Sequence, residues 1–341
     1  MPVRRSLAGC PQPLSSAHDT ALLDLDGVVY AGGEAIPGAP EALAAARAAG
    51  MSLAYVTNNA ARTPETVAAH LSDLGVPARP DEVVTSAQAA ARLVADKVPT
   101  GSRVLVVGGE GLRLALTERG LQPVDTALED PVAVVQGYAP DVSWRDLAEG
   151  AYAVARGVPW VAANTDRTIP TARGIAPGNG TLVAAVAAAT GRVPEVAGKP
   201  ELPLHAEAVC RTRARRPLVV GDRLDTDIEG AVRAGTDSLL VLTGVTTATD
   251  LVLAPPHQRP AYVSVGLDGL LRAHPVTHLR AGTATVGPWR ATVKGERLVM
   301  DGCGDPLDGL RAAAAAVWSS DTPVDVAPAL ARLGLDHRRT G

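Results

Sequence analysis

The chain has 341 residues, of which 46% are hydrophobic and 20% charged, so it can bury a core without disulfides or a structural metal. Lys and Arg number 32 and Asp and Glu 36, which gives a formal net charge of −4. A mildly acidic chain has no overall attraction to nucleic acid or to an anionic membrane, so we expect neither as a partner. The arginine-rich stretch at 211–216 fits a helix C-terminus better than a nucleic-acid patch.

The cysteines Cys10, Cys210 and Cys303 are far apart and form no C-x-x-C pair, which fits a reducing compartment. The stretch 7–10 resembles a lipoprotein cleavage box, but no apolar region of a signal peptide precedes it. No apolar run approaches the roughly 18 residues of a membrane-spanning helix. We therefore expect a cytoplasmic chain, with a loose, proline-containing tail over residues 1–16.

Short apolar runs alternate with longer alanine-rich stretches along most of the chain. The runs predict buried strands at Ala21–Leu25, Ser52–Thr57, Arg103–Val107, Val132–Val135, Trp160–Ala163, Leu218–Val220 and Leu239–Leu242. The stretches predict helices at Pro40–Ala49, Pro64–Leu74, Ser86–Ala95, Leu112–Arg119, Trp144–Arg156, Thr181–Ala189, Leu202–Thr212 and Asp225–Ala234. This alternation predicts parallel sheets with helices on both faces, in which ligands bind beyond the carboxyl ends of the strands.

The first chemical signal is Asp24-Leu25-Asp26-Gly27, which directly follows the first predicted strand. Two carboxylates at alternate positions of an extended chain point to the same side. At the end of a buried strand they are unfavourable unless a cation or a substrate satisfies them, which suits a divalent cation and phosphoryl transfer to a carboxylate. The alternative is a surface turn, because Asp-x-Asp-Gly is common in loops.

Two further signals follow later in the chain. Thr57, Asn58 and Asn59 end the second predicted strand and offer a hydroxyl and amide donors to phosphate oxygens, although an ordinary capped turn is the alternative. Lys199, between a glycine and a proline, is one of only three lysines in the chain. A lysine at this place suits a compact charge that neutralises a phosphoryl group, against the alternative of a solvated loop lysine.

The fourth signal is the stretch 219–228, Val-Val-Gly-Asp-Arg-Leu-Asp-Thr-Asp-Ile. It places Asp222 directly after a buried strand and Asp227 in the first turn of the predicted helix. Three carboxylates so close together repel one another unless a cation lies among them. Helix capping accounts for Asp225 but not for Asp222, so the stretch predicts a metal site.

In this order and spacing, the four signals resemble the haloacid dehalogenase-like phosphatases. The match is to the subgroup with a large α/β cap between the second and third motifs, which includes p-nitrophenylphosphatase-like, phosphoglycolate, pyridoxal-phosphate and glycerol-phosphate phosphatases. It covers residues from about 17 to 272, including Gly108-Gly109-Glu110-Gly111 and Pro177-Gly178-Asn179-Gly180. The resemblance implies a Mg²⁺-dependent phosphomonoester hydrolase that works through an aspartyl-phosphate intermediate.

The resemblance also implies a role for each motif residue. Asp24 is the nucleophile, Asp26 the general acid and base, and Lys199 steadies the nucleophile and the phosphoryl charge. The residues implied in holding the phosphate are Thr57, Asn58, Asn59 and Lys199. The implied magnesium ligands are Asp24, the backbone carbonyl of Asp26, and Asp222, with Asp227 in support.

The cap is expected to close over the core, exclude water and contact the substrate. Its recognition loop is predicted at Asn164–Pro170, and no aromatic residue occurs from 161 to 200. A flat ring therefore lacks a stacking partner, which favours glycerol phosphate or phosphoglycolate over pyridoxal phosphate. We expect Arg167 to pair with a substrate carboxylate, or Asn164 and Asp166 to bond the hydroxyls of glycerol 3-phosphate, the substrate that we favour.

The predicted fold is a doubly wound, Rossmann-like parallel-sheet core with an inserted α/β cap and a small C-terminal α/β extension. The extension carries a hairpin around 294–296, two short helices near Leu307–Trp318 and Val326–Leu333, and no catalytic constellation. Pro275 between His274 and His278 argues against a helical metal pair there. The predicted segments are a flexible tail at 1–16, core at 17–98, cap at 99–196, core at 197–273 and the extension at 274–341.

Other functions fit the sequence less well. The glycine-rich turn at 107–111 lacks the third glycine of a dinucleotide fingerprint, since Leu114 stands there. A phosphoryl transferase or mutase using the same Asp24 intermediate stays open, whereas a second acid two residues after the nucleophile disfavours a dehalogenase. The complete set of motif residues disfavours a non-catalytic scaffold. The sequence leaves the exact substrate and the oligomeric state open, a homo-oligomer included.

Overall fold

A computed structural model describes residues 6–171, 173–320 and 322–335. The described chain divides into two compact units. The first unit comprises residues 6–54, 74–76 and 212–335, and the second comprises residues 55–73 and 77–211.

The elements follow the predicted alternation of strands and helices. The strands are β1 (Thr20–Leu23), β2 (Tyr30–Ala31), β3 (Glu34–Ala35), β4 (Ser52–Thr57), β5 (Val83–Thr85), β6 (Arg103–Val107), β7 (Gln122–Val124), β8 (Ala133–Gln136), β9 (Trp160–Ala162), β10 (Thr168–Thr171), β11 (Gly174–Pro177), β12 (Glu195–Val196), β13 (Pro217–Gly221), β14 (Asp237–Val241), β15 (Tyr262–Ser264), β16 (His278–Arg280), β17 (Thr283–Val286), β18 (Trp289–Lys294) and β19 (Arg297–Asp301). The helices are α1 (Leu14–Ala17), α2 (Ala39–Ala48), α3 (Pro64–Asp73), α4 (Ser86–Ala95), α5 (Glu110–Glu118), α6 (Trp144–Ala155), α7 (Asn179–Thr190), α8 (Leu202–Thr212), α9 (Glu229–Ala234), α10 (Ala248–Val252), α11 (Pro306–Trp318) and α12 (Ala327–Leu330). Among the described helices, none is long and apolar enough to cross a membrane.

A six-stranded sheet has the order β15-β14-β13-β1-β4-β5. The pairs β1–β13, β13–β14, β14–β15 and β4–β5 are parallel. β1 is buried along its whole length, as expected for a strand covered on both faces. Leu23 lies opposite Val220, so β1 and β13 end side by side. The prediction of a parallel-sheet α/β core is confirmed.

The second unit contains its own five-stranded sheet, in the order β12-β9-β8-β6-β7, with parallel pairs throughout. Helices α6 and α7 cover one face, where Val154 and Val183 pack with Leu105 and Val134 in one apolar core. The antiparallel hairpin β10–β11 lies between β9 and α7 along the chain. The predicted recognition loop therefore ends in a strand, because Thr168 to Thr171 pair with Gly174 to Pro177.

The C-terminal module is a four-stranded antiparallel sheet, β16-β17-β18-β19, with α11 against β17 and β18. The predicted hairpin around residues 294–296 is confirmed, since Lys294 pairs with Arg297. Trp289 and Leu310 of the module share one buried cluster with Leu240 and Val263 of the parallel sheet. The module is thus part of the first unit's core.

The predicted flexible tail at 1–16 is wrong over the residues that the structure describes; residues 1–5 lie outside them. Leu7 and Leu14 are buried at 2% and 0% exposure. Cys10 exchanges two backbone hydrogen bonds of 2.8 Å with His274. Prolines and serines suggested a loose segment, but burial of its few apolar side chains fixes it against residues far along the chain.

Candidate active site

Three carboxylates converge in the first unit. Asp24 follows β1, and Asp222 follows the neighbouring strand β13. The backbone N–H of Asp24 donates to the carbonyl of Val220 at 2.8 Å and so continues the hydrogen bonding between the two strands. One carboxylate oxygen each of Asp24, Asp222 and Asp227 lies within 4.8 Å of the others. Asp222 and Asp227 are 1% and 2% exposed, and Asp24 is half-buried. The parallel strands thus bring two distant motifs to one place, as predicted.

Glycines enclose the Asp222 carboxylate so closely that side chains would not fit. A Cβ atom at Gly244 would lie 1.8 Å from Asp222 Oδ2, and one at Gly27, whose φ is +81°, would lie 2.5 Å away. The backbone N–H of Val245 donates to the same oxygen at 2.7 Å. Sequence reasoning missed Gly244 and Val245, although the Thr243-Gly244 pair two residues after the end of β14 was the available signal.

The position of Asp227 depends on an irregular turn. Residues 224–228 form a single π-helical turn, and α9 begins only at Glu229, so the predicted helix Asp225–Ala234 is regular only in its second half. The Asp227 carboxylate accepts the backbone N–H of Arg223 at 3.3 Å. A Cβ atom at Gly221 would lie 2.2 Å from the Cβ of Asp227, so the side chain of Asp227 needs a glycine there. Asp225 points elsewhere and pairs with the Arg223 side chain at 2.8 Å.

Three oxygen donors of like charge in a buried setting fit a hard divalent cation, because their mutual repulsion is relieved when a cation binds between them. The observation that supports this fit is the convergence of Asp24, Asp222 and Asp227, two of them nearly inaccessible to solvent. The Asp26 side chain is exposed and outside this group. The prediction that Asp26 contributes its backbone carbonyl to the metal stays a prediction.

The predicted phosphate-binding residues lie in the second unit, at the end of β4. Thr57 is buried, and its hydroxyl accepts the backbone N–H of Asn59 at 3.1 Å. Asn59 is exposed, and its side-chain oxygen Oδ1 accepts the backbone N–H groups of Ala61 and Arg62 at 2.9 and 3.0 Å. The Asn59 side chain therefore caps the turn, which was the alternative considered for this motif.

The Asn58 side chain makes two hydrogen bonds to the backbone of Lys199. Its oxygen accepts the Lys199 N–H at 2.8 Å, and its amide donates to the Lys199 carbonyl at 3.2 Å. The Lys199 ammonium donates to the carbonyl of Val56 at 3.3 Å, and the Ser86 hydroxyl donates to the carbonyl of Asn58 at 2.6 Å. Two motifs 141 residues apart are thus held in one local structure, and Ser86 is a contributor that the sequence did not reveal.

The predicted recognition loop, Asn164–Pro170, meets this structure at Asn58. The amide of Asn164 donates to the Asn58 carbonyl at 2.7 Å, and its oxygen accepts the Asp166 N–H at 3.2 Å. The Asn58 amide in turn lies 3.3 and 3.4 Å from the two oxygens of the half-buried Asp166 carboxylate. Arg167 is exposed, and its backbone carbonyl accepts the N–H of Gly178 at 2.8 Å and the hydroxyl of Thr181 at 2.7 Å, at the start of α7.

The fold and these residues define a class of protein. A parallel α/β sheet carries a carboxylate metal site at its strand ends, and a separate set of hydroxyl, amide and ammonium donors suits phosphate oxygens. These are the components of a metal-dependent enzyme that acts on phosphate esters.

Comparison with protein families agrees with this class. Residues 21–122 match the model described as haloacid dehalogenase-like hydrolase, and residues 196–270 match a second model of HAD-like hydrolases. Residues 286–335, in the C-terminal module, match a model described as a GCN5-related N-acetyltransferase like domain.

Comparison with individual proteins gives the same family. The D-glycerol 3-phosphate phosphatase of Mycobacterium tuberculosis is 46% identical over 316 residues, 90% of this chain and 88% of that protein. A crystal structure of glycerol phosphate phosphatase from that organism, in complex with magnesium, matches with a TM-score of 0.88 and 44% identity over 95% of this chain and 99% of that one. A p-nitrophenylphosphatase (NPPase) structure from Geobacillus stearothermophilus matches with a TM-score of 0.67 and 35% identity over 74% and 97%. The chain belongs to the haloacid dehalogenase-like hydrolases and stands among their phosphatases, so the family that the four motifs resemble is confirmed.

Proposed function

We propose that this chain is a Mg²⁺-dependent phosphatase that hydrolyses glycerol 3-phosphate. The observation that carries the proposal is the convergence of Asp24, Asp222 and Asp227 at the ends of two parallel strands. The near full-length similarity to a D-glycerol 3-phosphate phosphatase supports the choice of substrate.

In the proposed reaction, a carboxylate oxygen of Asp24 attacks phosphorus and the bond between phosphorus and the glycerol oxygen breaks. Asp26 gives its proton to the departing alkoxide. It then takes a proton from water, whose oxygen attacks the aspartyl phosphate, so that phosphate leaves and Asp24 is restored. Thr57 and Lys199 hold the phosphoryl oxygens and offset their charge, while the Asn58 side chain holds the backbone of Lys199 in place. Magnesium, held by Asp24, Asp222 and the Asp26 carbonyl with support from Asp227, supplies electrostatic stabilisation of the transferring phosphoryl group.

For recognition of the glycerol hydroxyls we propose Asp166. Its carboxylate is half-buried beside the Asn58 amide, whereas both ends of the Asn164 side chain bond other parts of the protein. Asn164 therefore supports the loop, and Asp166 retains acceptor capacity for a hydroxyl because each carboxylate oxygen accepts more than one hydrogen bond.

Phosphoglycolate is the second candidate substrate. The observation in its favour is the exposed Arg167 guanidinium in the recognition loop, which suits a substrate carboxylate. Transfer of the phosphoryl group to a second acceptor, as in a transferase or mutase, would give product without release of inorganic phosphate.

A phosphate-release assay tests these proposals directly. With Mg²⁺, we expect kcat/KM for glycerol 3-phosphate to exceed those for phosphoglycolate and pyridoxal phosphate. Asp166→Ala should lower turnover of glycerol 3-phosphate more than that of phosphoglycolate, and Arg167→Ala should do the reverse if phosphoglycolate is the substrate. A preference for pyridoxal phosphate would contradict both candidates, and substrate loss without phosphate release would indicate transfer.

A cytoplasmic location and any homo-oligomer stay predictions. The location follows from the cysteine usage, and the oligomeric state was left open by the sequence. Fractionation of cells and light scattering of the purified chain test them.

A further inference from the structure

Asparagine is rare in this chain, and its positions are not scattered. The 341 residues include four asparagines: Asn58, Asn59, Asn164 and Asn179. The first three were predicted site residues, whereas Asn179 was noticed only as part of a glycine-rich motif. In the structure, Asn179 donates to the carbonyl of Asn164 at 2.7 Å, and Asn164 donates to the carbonyl of Asn58 at 2.7 Å. Three of the four asparagines thus form one hydrogen-bonded series.

Asn179 is the first residue of α7 and is 1% exposed. Its amide is directed at the backbone of the recognition loop, and no other side chain in the described part of the chain donates to the Asn164 carbonyl. Within the described residues, no donor reaches its Oδ1 atom. The amide also lies 3.5 Å from the carbonyl of Gln136, a long contact, so the 2.7 Å bond to the Asn164 carbonyl is its main interaction.

The backbone around Asn179 holds the same loop. The N–H groups of Gly178 and Gly180 donate to the carbonyls of Arg167 and Asp166 at 2.8 and 2.9 Å. A Cβ at Gly178 would lie 2.3 Å from the Asp166 carbonyl oxygen, and one at Gly180 would lie 2.2 Å from that of Thr165. The loop therefore lies directly on the start of α7, and the two glycines permit this close approach.

We infer that Asn179 is a positioning residue that fixes the recognition loop for the non-phosphate part of the substrate. This inference rests on the proposed function, because it takes the loop as the part of the protein that recognises the substrate alcohol. Asn179 acts through the Asn164 carbonyl and sets the place of Asp166, two residues further on. The Asn58 carbonyl is held separately by Ser86 at 2.6 Å, so the phosphate-binding end keeps its geometry without Asn179.

The test is a change in substrate selectivity. Asn179→Leu keeps the number of non-hydrogen side-chain atoms and removes the donor, and Asn179→Ser keeps a polar side chain that is too short to reach the Asn164 carbonyl. For both variants we expect kcat/KM with glycerol 3-phosphate to fall about ten- to hundredfold, as for a displaced substrate-positioning group, while kcat/KM with p-nitrophenyl phosphate changes little. A loss of folded protein lowers both values equally, so it leaves their ratio unchanged.

The control is Thr190→Val, which removes one side-chain donor at the other end of α7, where Thr190 bonds the Val186 carbonyl at 2.8 Å. Its selectivity ratio should equal that of the wild type. Equal ratios in the Asn179 variants and the wild type would overturn the inference. If the wild type itself prefers another phosphometabolite, the proposed substrate is wrong, and the ratio is then taken with the preferred substrate, so the role of Asn179 is decided separately.

Discussion

Two clusters of charged residues in this protein, each with at least one buried carboxylate, are built in opposite ways. In the second unit, Glu207 is 1% exposed and receives three guanidinium groups: Arg211 at 2.6 Å, Arg119 at 2.8 Å and Arg92 at 3.1 Å. In the first unit, the group of Asp24, Asp222 and Asp227 brings three acids to one point.

The difference separates a structural charge from a functional one. Burial by itself raises the pKa of Glu207, but the arginines, Arg211 first, more than offset burial and hold the pKa below its ordinary value. The fold thus stabilises ionised Glu207 with its own cations. The mutual repulsion of the three converging aspartates instead opposes folding until a divalent cation binds. The free energy of metal binding then offsets this repulsion.

The largest expected effect is on turnover when the proposed nucleophile changes. Asp24→Asn should lower kcat by at least about a thousandfold, because an amide does not attack phosphorus and is a weaker metal ligand. Phosphate release from glycerol 3-phosphate measures the loss, and circular dichroism checks that the fold is intact. Appreciable turnover by this variant would exclude Asp24 as the nucleophile.

Metal removal should abolish activity and lower thermal stability together. A chelator should stop phosphate release, and added Mg²⁺ should restore both activity and Tm, since a ligand that binds only the folded state stabilises it. Asp222→Ala should resemble the chelated enzyme and show no rise in Tm with Mg²⁺. Full activity in the presence of chelator would mean that the three carboxylates have another role.

Neutralising one acid in each cluster should change stability in opposite directions. Glu207→Gln should lower the free energy of unfolding by about 2 kcal/mol, less than for a fully buried pair because the arginines keep partial contact with water. Asp227→Asn should raise the Tm of the metal-free chain, because it relieves repulsion. Thermal and urea unfolding in chelator compare the two, and a loss of stability in both variants would remove the distinction between the clusters.

The smallest expected effect is a pH dependence of stability in the first unit. Burial lowers the pKa of His274 below 6.5, and the nearby positive charge of Arg311 lowers it further. A hydrogen bond to the backbone of Gly269 opposes this shift. The Arg311 guanidinium donates toward His274 Nδ1 at 3.5 Å. The unfolded chain therefore binds a proton before the folded chain does as pH falls. Stability from neutral His274 is present above about pH 6.5 and declines below it, toward the lowered pKa.

Urea unfolding between about pH 7.5 and about pH 5.5 measures this decline. His274→Gln, which does not titrate, should show a shallower decline than the wild type. The pKa values of His18 and His205 are also lowered by burial, so both histidines contribute to the slope in both proteins. An identical slope in the variant would show that the pKa of His274 is the same in the folded and the unfolded chain, which would contradict the prediction.

Much of the fold was predictable because its signals are local. Continuous apolar runs predicted the strands that end at Thr57 and Val107, since a strand buried on both faces needs no polar alternation. The hairpin β18–β19 followed from a short polar turn between two apolar runs. The resemblance of the motifs to the family implied that Asp24 and Asp222 share a metal ion, and each follows a predicted strand of a parallel sheet, whose strand ends share one edge.

The sequence by itself determined the main alternating strands and helices, the family and the residue types of the site, but not the short strands such as β5, β7 and β12. Only the tertiary structure decided how the distant pieces support one another: Val245 on Asp222, Ser86 on Asn58, and Asn179 on Asn164. It also fixed the segment before β1, through the pairing of Cys10 with His274. Periodicity reports which face of an element is buried, but not which distant backbone group a polar side chain will bond. That choice is made when buried donors and acceptors must find partners in the packed chain.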